Sequence, residues 1–202
     1  MKLYVAPGAC SLAPHIALRE AGARFDLAIV DLGSKRADDG TTFTEINPKG
    51  YVPALQLDDG QVLTENVVVL LYIADRHPEA HLAPAALSME RYRLIEWLCF
   101  INSELHKAFS PLFSPAAPEP MRQYARDLLT RRFDYLQGVL GDTPFVIGTG
   151  FTVADAYLYT VLSWCAEVGI DLKRWPGLAR HEGRSRTRPA VLAALKAEGL
   201  VP

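Results

Sequence analysis

The chain has few cysteines, no excess of positive charge and no long apolar run, and each shortage excludes a class of protein. Its three cysteines, Cys10, Cys99 and Cys165, are odd in number and scattered, which excludes a disulfide framework and favours a reducing compartment. A formal net charge of −2 excludes the basic surface typical of nucleic-acid binding. No apolar run approaches the roughly 18 residues of a membrane span, and no signal peptide precedes the first strand. We therefore expect a cytoplasmic protein with neither a nucleic-acid nor a membrane partner.

Residues 1–80 carry short strand and helix patterns in the order β-α-β-α-β-β-α. The predicted strands are Lys2–Ala6, Phe25–Asp31, Val52–Leu57 and Gln61–Leu63, and the predicted helices are Ser11–Ala21, Thr42–Ile46 and Glu65–Arg76. The first strand, helix and strand predict a parallel unit, and the hairpin across Asp58-Asp59-Gly60 adds an antiparallel edge. The result is a mixed four-stranded sheet.

After the proline- and alanine-rich linker His77–Ala86, the strand signal disappears and residues 88–202 are expected to be helical. The predicted helices are Ser88–Phe109, Met121–Leu140, Thr152–Val168 and Pro189–Leu200, with a break at Pro111–Pro120. Thr152 and Asp155 have the spacing of a capping box at the start of an apolar helix. The fold class is thus an α/β half followed by an all-α half.

Cys10 lies between the first strand and the first helix, where Ser11 is expected to cap the helix. The helix N-terminus favours a thiolate there, although a buried, inert cysteine is the structural alternative. Because Ala13 occupies the position of a resolving cysteine, the site cannot close an internal disulfide. A lone thiol fits the handling of an external thiol.

Val52-Pro53 begins a strand after the Asn47–Gly50 turn. A cis bond there would leave the Val52 backbone unpaired near Cys10, where a peptide-like ligand could add as a strand. An ordinary trans proline at a strand edge is the alternative.

Two further groups could contact such a ligand. Glu65 and the Asn66 amide open a helix and could hold the ammonium and carboxylate of an amino acid, or they could simply cap the helix. His106 could share a proton with Cys10 or with a ligand thiol, and Lys107 could meet a carboxylate. A structural or solvated histidine is the alternative.

Together these stretches resemble the bacterial beta-class cytosolic glutathione transferases, in order and spacing over essentially the whole chain. The matching segments are Pro7–Leu12, Asn47–Leu55, Leu63–Glu65, Ile95–Leu98, Glu104–Lys107 and Phe151–Leu158.

The resemblance implies a thioredoxin-like, glutathione-binding domain at residues 1–80. It also implies an all-helical domain at residues 88–202, which carries the electrophile site and a dimer interface. It implies a cis Val52-Pro53 bond and catalytic roles for Cys10 and His106, with Lys35 near the glycyl carboxylate. The glutathione-binding residues that it implies are Ala9, Cys10, Ser11, Lys35, Val52, Pro53, Glu65, Asn66, Cys99, Ser103, Glu104, Leu105, His106 and Lys107. Cys99 replaces a common asparagine and Asn66 a usual small residue, so altered glutathione affinity is expected.

The predicted function is therefore glutathione transfer to small hydrophobic electrophiles. Glutathione is the co-substrate, no cofactor or metal is expected, and the protein is expected to be a homodimer. The electrophile would lie near the Pro111–Pro120 segment, against Phe109 and Phe113. A glutathione-dependent thiol-disulfide reductase acting through a Cys10 mixed disulfide and a non-catalytic binding or assembly protein are the alternatives.

Overall fold

The computed structural model of the protein describes residues 1–202 throughout. The strands are β1 (Lys2–Val5), β2 (Asp26–Asp31), β3 (Arg36–Ala37), β4 (Ala54–Gln56) and β5 (Val62–Thr64). The helices of the first half are α1 (Leu12–Glu20), α2 (Phe43–Ile46) and α3 (Asn66–Arg76). Those of the second half are α4 (Met89–Phe100), α5 (Lys107–Phe113), α6 (Glu119–Leu140), α7 (Val153–Glu167), α8 (Pro176–Arg186) and α9 (Pro189–Ala197).

The sheet is mixed, as predicted, and its strand order is β3-β2-β1-β4-β5. β1 and β2 are parallel, whereas every other neighbouring pair is antiparallel. Successive side chains of β1 face opposite sides, because a strand has a period of two residues. Leu3 and Val5 join the main core beneath α1 and α3, while Tyr4 packs with Phe43 of α2 on the other face.

The prediction of four strands is wrong, because β3 adds a fifth at the edge of the sheet. β3 has only two residues, which is too short to show an alternating pattern in the sequence. A turn folds it back onto β2: the Asp31 carboxylate accepts the amides of Gly33 and Ser34, and Lys35 has a φ of 59°.

The helix predicted over Ser88–Phe109 is interrupted and ends later than expected. Residues Ile101–His106 form a π-helical turn between α4 and α5, and α5 continues past Pro111 to Phe113. Pro111 removes one backbone donor, but burial of Phe109 and Leu112 against the core holds the last turn in place. Packing therefore overrides the helix-breaking tendency of proline.

Helix α8 was not delimited from the sequence. Its buried face carries Gly177, Leu178, His181 and Ser185, of which only leucine gives an apolar signal. The capping box predicted at Thr152 and Asp155 is present at the start of α7, whose side chains are almost all buried.

The helix that follows Cys10 joins the two halves. α1 packs against α3 in the first half and against α7 and α9 in the second. An Arg188–Glu20 ion pair adds a polar link between α1 and the start of α9. Cys10 therefore sits where the sheet, α1 and the helical half meet. No helix has the length and apolar character needed to cross a membrane.

Candidate active site

Cys10 lies in the connection between β1 and α1, half-buried, with its thiol facing the Val52 segment. Its Sγ donates to the Val52 carbonyl oxygen at 3.3 Å. The backbone amides of Cys10 and Ser11 have no hydrogen-bond acceptor within the chain. They are the free donors expected at a helix N-terminus, and they lie beside the thiol.

The expectation that Ser11 caps α1 is wrong. Its hydroxyl accepts the Ala6 amide at 3.1 Å, so the fully buried side chain is used to tie the end of β1 to the turn. Since no side chain caps α1, the Cys10 and Ser11 amides just before the helix stay available to a ligand.

The predicted preference of Cys10 for the thiolate is also wrong. Burial raises the pKa of the Cys10 thiol to about 12, while Lys107 and the Cys10 and Ser11 amides lower it only in part. Cys10 is therefore a protonated thiol at neutral pH, and it can act as a hydrogen-bond donor.

The Val52-Pro53 peptide bond is cis, which confirms the expectation from the sequence. The Val52 amide has no partner within the chain, and its carbonyl accepts only the Cys10 thiol. One residue of backbone is thus open to an extended ligand directly beside Cys10.

Glu65 does not cap α3. Its carboxylate accepts the Lys49 ammonium at 2.6 Å and the Tyr51 hydroxyl at 2.8 Å. These two contacts lower the pKa of Glu65. Asn66 is buried: its amide nitrogen donates to the Cys10 carbonyl at 3.1 Å, and its side-chain oxygen has no partner.

Lys35 lies beside the Asn47–Gly50 turn, where its ammonium donates to the Gly50 carbonyl at 2.8 Å. Lys35, Lys49 and Lys107 place positive charge around the Cys10 end of the site, since Lys107 also acts on the pKa values of Cys10 and Glu65.

His106 is held by two residues that the sequence analysis missed, Tyr157 and Asn102. The Tyr157 hydroxyl donates to the Asn102 side-chain oxygen at 3.0 Å and lies 2.7 Å from Nδ1 of His106. The Tyr157 hydroxyl uses its only proton in the bond to Asn102, so it can only accept from His106. Nδ1 of the neutral His106 ring therefore carries the proton, and Nε2 is unprotonated. Burial, and then Lys107, lowers the pKa of His106 to about 4, so the ring is neutral at pH 7.

A cavity of about 570 Å³ opens between the two halves and includes Cys10. Of the residues predicted from the sequence, Ala9, Cys10, Val52 and His106 line it. The expected aromatic residues Phe109 and Phe113 also line it. The other lining residues are Ala6, Pro7, Gly8, Leu32, Tyr51, Ser110, Trp164, Glu167 and Leu200.

Trp164 is the main cavity residue that sequence reasoning missed. Its indole nitrogen donates to the Gly8 carbonyl at 2.8 Å, so α7 holds the turn that carries Cys10. Its ring packs edge-on against His106, Phe109 and Phe113 with centroids 5.0 to 5.7 Å apart. A tryptophan on an apolar helix needs a partner for its N–H, and that was the one available signal.

Several predicted glutathione-binding residues do not line this cavity. Cys99 and Ser103 are exposed on one helical surface, and the Ser103 hydroxyl donates to the Cys99 carbonyl. Glu104 pairs with Arg132 at 2.5 Å, Leu105 and Pro53 are buried, and Lys107 is exposed. The binding roles of these residues stay predictions.

Comparison with known proteins accounts for this arrangement. The family profile described as "Glutathione S-transferase, N-terminal domain" matches residues 8–76, and "Glutathione S-transferase, C-terminal domain" matches residues 100–189. The chain is 47% identical over 200 residues to glutathione S-transferase GstA of Escherichia coli O157:H7, covering 99% of this chain and 100% of that one.

Two solved structures agree over the full length. The bacterial beta-class glutathione S-transferase of Sphingomonas chungbukensis is 51% identical, with a TM-score of 0.96 and coverage of 100% of both chains. A sphingomonad glutathione S-transferase complexed with glutathione is 50% identical, with a TM-score of 0.96 and the same coverage.

A thioredoxin-like domain followed by an all-helical domain is the architecture of glutathione-dependent transferases. The chain belongs to the glutathione S-transferase family, and its resemblance to the bacterial beta class is confirmed. It is a transferase with glutathione as its co-substrate.

Proposed function

We propose that the protein conjugates glutathione to small hydrophobic electrophiles, with the Cys10 thiol as a hydrogen-bond donor to the glutathione sulfur. The observation that carries this proposal is the Cys10 thiol, already acting as a hydrogen-bond donor, beside two free amides in a largely apolar cavity. A protonated thiol beside two free amides stabilises an external thiolate, since all three can donate to it.

The cysteinyl part of glutathione would pair with the free Val52 amide and with the Val52 carbonyl. Without a ligand, the Val52 carbonyl accepts a hydrogen bond from the Cys10 thiol. The ligand's backbone amide would compete with Cys10 for this carbonyl. Cys10 would then turn its proton to the ligand sulfur, which exchanges one hydrogen bond for another.

The charged ends of glutathione would lie at the rim of the same site. We place the γ-glutamyl end near Glu65 and Asn66, as the Glu65 carboxylate and the unpartnered side-chain oxygen of Asn66 favour. The glycyl carboxylate would lie near Lys35, and Lys107 adds further positive charge. Ala9, Ser11, Pro53, Cys99, Ser103, Glu104 and Leu105 complete the proposed set.

In the reaction the glutathione thiol loses its proton, and the sulfur attacks an electrophile held against Phe109, Phe113 and Trp164. The thiol proton passes to solvent, and the neutral ring of His106, which lines the same cavity, is available to hydrogen-bond the ligand. Each hydrogen bond from a neutral donor to the thiolate is worth about 1.5–3 kcal/mol, which lowers the thiol pKa by about 1 to 2.

The reductase alternative requires Cys10 itself as a nucleophile, and the thiolate is the reactive form. A pKa near 12 leaves almost no Cys10 thiolate at neutral pH. The site therefore favours transfer over mixed-disulfide chemistry.

The test is to titrate the thiolate of bound glutathione by its ultraviolet absorption in wild type, Cys10→Ala and Cys10→Ser. We expect the bound thiol to have a lower pKa than free glutathione, a rise of about 1 to 2 in Cys10→Ala and a smaller rise in Cys10→Ser. Cys165→Ala, which removes a buried cysteine that neither lines the cavity nor belongs to the proposed glutathione-binding set, is the control.

Two results would count against this function. One is a bound-thiol pKa that Cys10→Ala leaves unchanged. The other is a covalent glutathione adduct on Cys10, seen by mass spectrometry, together with reductase activity that needs Cys10 while conjugation does not.

We further propose a cytoplasmic homodimer. The exposed apolar side chains Met89 and Tyr92 of α4 and Tyr124 of α6 support a second copy as partner, and three free cysteines fit a reducing compartment. Sedimentation analysis tests the dimer, and a monomer at micromolar concentration would contradict it.

A further inference from the structure

The cavity contains one carboxylate that the proposed reaction does not use. Glu167 lines the cavity together with Phe113 and Trp164 and is exposed, and its carboxylate forms no ion pair or hydrogen bond within the chain. No lysine or arginine lines this cavity. Glu167 is therefore the only unpaired charge that faces the space expected to hold the electrophile.

The position of Glu167 in its helix is electrostatically unfavourable. It is the last residue of α7, whose last turn contains no basic side chain. The C-terminus of a helix carries partial negative charge, so a carboxylate there is repelled rather than stabilised. Because Glu167 is exposed, this repulsion is small, and a positively charged ligand in the cavity would relieve it.

The rings beside Glu167 have the complementary property. Phe109, Phe113 and Trp164 form a mutually packed aromatic wall with centroids 5.4 to 6.1 Å apart. Aromatic rings attract cations through their quadrupole, and Phe113 is the exposed ring of this wall, with Phe109 and Trp164 buried beside it. An aromatic wall with one carboxylate is the chemistry used to recognise organic cations.

Opposite charges are separated along the site. Lys35, Lys49 and Lys107 belong to the Cys10 end, where the carboxylates of glutathione are proposed to bind. The Glu167 end has no cation to receive an anionic substrate.

We infer that the electrophile end of the cavity selects positively charged aromatic electrophiles over anionic ones, with Glu167 as the residue that sets this preference. The inference rests on the proposed conjugation, and it adds the charge class of the second substrate.

The test uses three para-substituted benzyl chlorides that carry a trimethylammonio, a tert-butyl or a carboxylate group. The first two substituents are nearly equal in shape and differ in charge. In each reaction the glutathione sulfur forms a bond to the benzylic carbon and the carbon–chlorine bond breaks. Chloride leaves with the bonding electrons, and the thiol proton passes to solvent.

kcat/KM for each substrate is compared between wild type and Glu167→Gln, so that differences in intrinsic reactivity cancel. We expect the cation-to-anion ratio to fall about tenfold in Glu167→Gln, because the cation loses an attraction and the anion a repulsion. The tert-butyl compound should change less than about twofold, and salt should shrink the wild-type preference. Glu90→Gln, an exposed acid outside the cavity, is the matched control with the same change of charge.

A second measurement does not depend on turnover. Benzyltrimethylammonium is titrated into the glutathione-bound protein by calorimetry, and Glu167→Gln should weaken its binding by about threefold. An unchanged cation-to-anion ratio, or unchanged binding of this cation, overturns the inference. If wild type conjugates none of the three chlorides, the proposed function fails, and the calorimetric result alone then decides the role of Glu167.

Discussion

Replacing Glu198 by alanine should destabilise the protein and disturb the turn that carries Cys10. Glu198 follows α9 and its side chain is fully buried. One carboxylate oxygen accepts the Gly8 amide at 2.9 Å, and the other contacts Nδ1 of His15 at 2.7 Å. Arg19 donates to the second ring nitrogen of His15 at 2.8 Å. The C-terminal segment is thus tied to the Cys10 turn through a buried polar chain.

The size of the effect follows from the partners left behind. Alanine would leave the Gly8 amide and Nδ1 of His15 buried without an acceptor, at about 1–3 kcal/mol each. A total of about 4 kcal/mol corresponds to a fall in Tm of roughly 10 °C for a chain of this length. Conjugation should also weaken, since Gly8 would keep only its contact with Trp164.

Urea unfolding, followed by tryptophan fluorescence, gives the free energy of unfolding of wild type and Glu198→Ala. Glu20→Ala is the matched control. Glu20 pairs with Arg188 across the same two halves through two hydrogen bonds, but Arg188 is partly exposed, so the loss should be about 1–2 kcal/mol, below that for Glu198. If both variants lose the same free energy of unfolding, any charge pair between the two halves would serve equally well. That result would refute the argument that the buried Glu198 network holds the turn.

Two further predictions concern the His106 network. The pKa of His106 is 6.5 in the unfolded chain and about 4 in the folded protein, so only the unfolded chain gains a proton as the pH falls through this range. The free energy of unfolding should therefore decrease between pH 6.5 and pH 4, by up to about 3 kcal/mol. His106→Gln should lose less stability over this range, which is measured by comparing urea midpoints at pH 7 and near pH 4. An equal loss in wild type and His106→Gln would contradict the assignment of the effect to His106. Tyr157→Phe should cost about 1–3 kcal/mol and lower kcat, because His106 and Asn102 lose their shared hydroxyl. Tyr159→Phe, which removes a buried hydroxyl with no partner, should be close to neutral, so equal effects of the two tyrosine variants would be inconsistent with this network.

Local patterns were enough to predict much of the fold. Apart from β3, the order of strands and helices up to Arg76 follows from period-two and helical spacing together with the turn residues that separate them. The capping box at Thr152 was predictable for the same reason, since both of its members lie within one turn. β3 was not predictable, because a strand of two residues is too short to show an alternating pattern. α8 was not predictable either, because most residues on its buried face are polar or small.

The site was harder to predict because its contacts join residues far apart in the chain. Tyr157 meets Asn102 across 55 positions, and Trp164 meets Gly8 across 156. No spacing rule connects such pairs. Glu65 shows a different difficulty: an acid at a helix start is usually a cap, but here Lys49 and Tyr51 hold it. Only the fold decides between these two uses of the same residue.

The protonation of Cys10 shows which of two opposing effects is larger. A helix N-terminus stabilises a nearby anion by about 0.3–1 kcal/mol, and by up to about 2 kcal/mol in favourable geometry. A rise in pKa from 9.0 to about 12 corresponds to about 4 kcal/mol against the thiolate, so burial outweighs the helix. A Cys10 thiolate would repel the thiolate of glutathione at the same amides, whereas a neutral thiol donates to it. The burial that makes Cys10 a poor nucleophile therefore suits it to stabilise the nucleophile that glutathione brings.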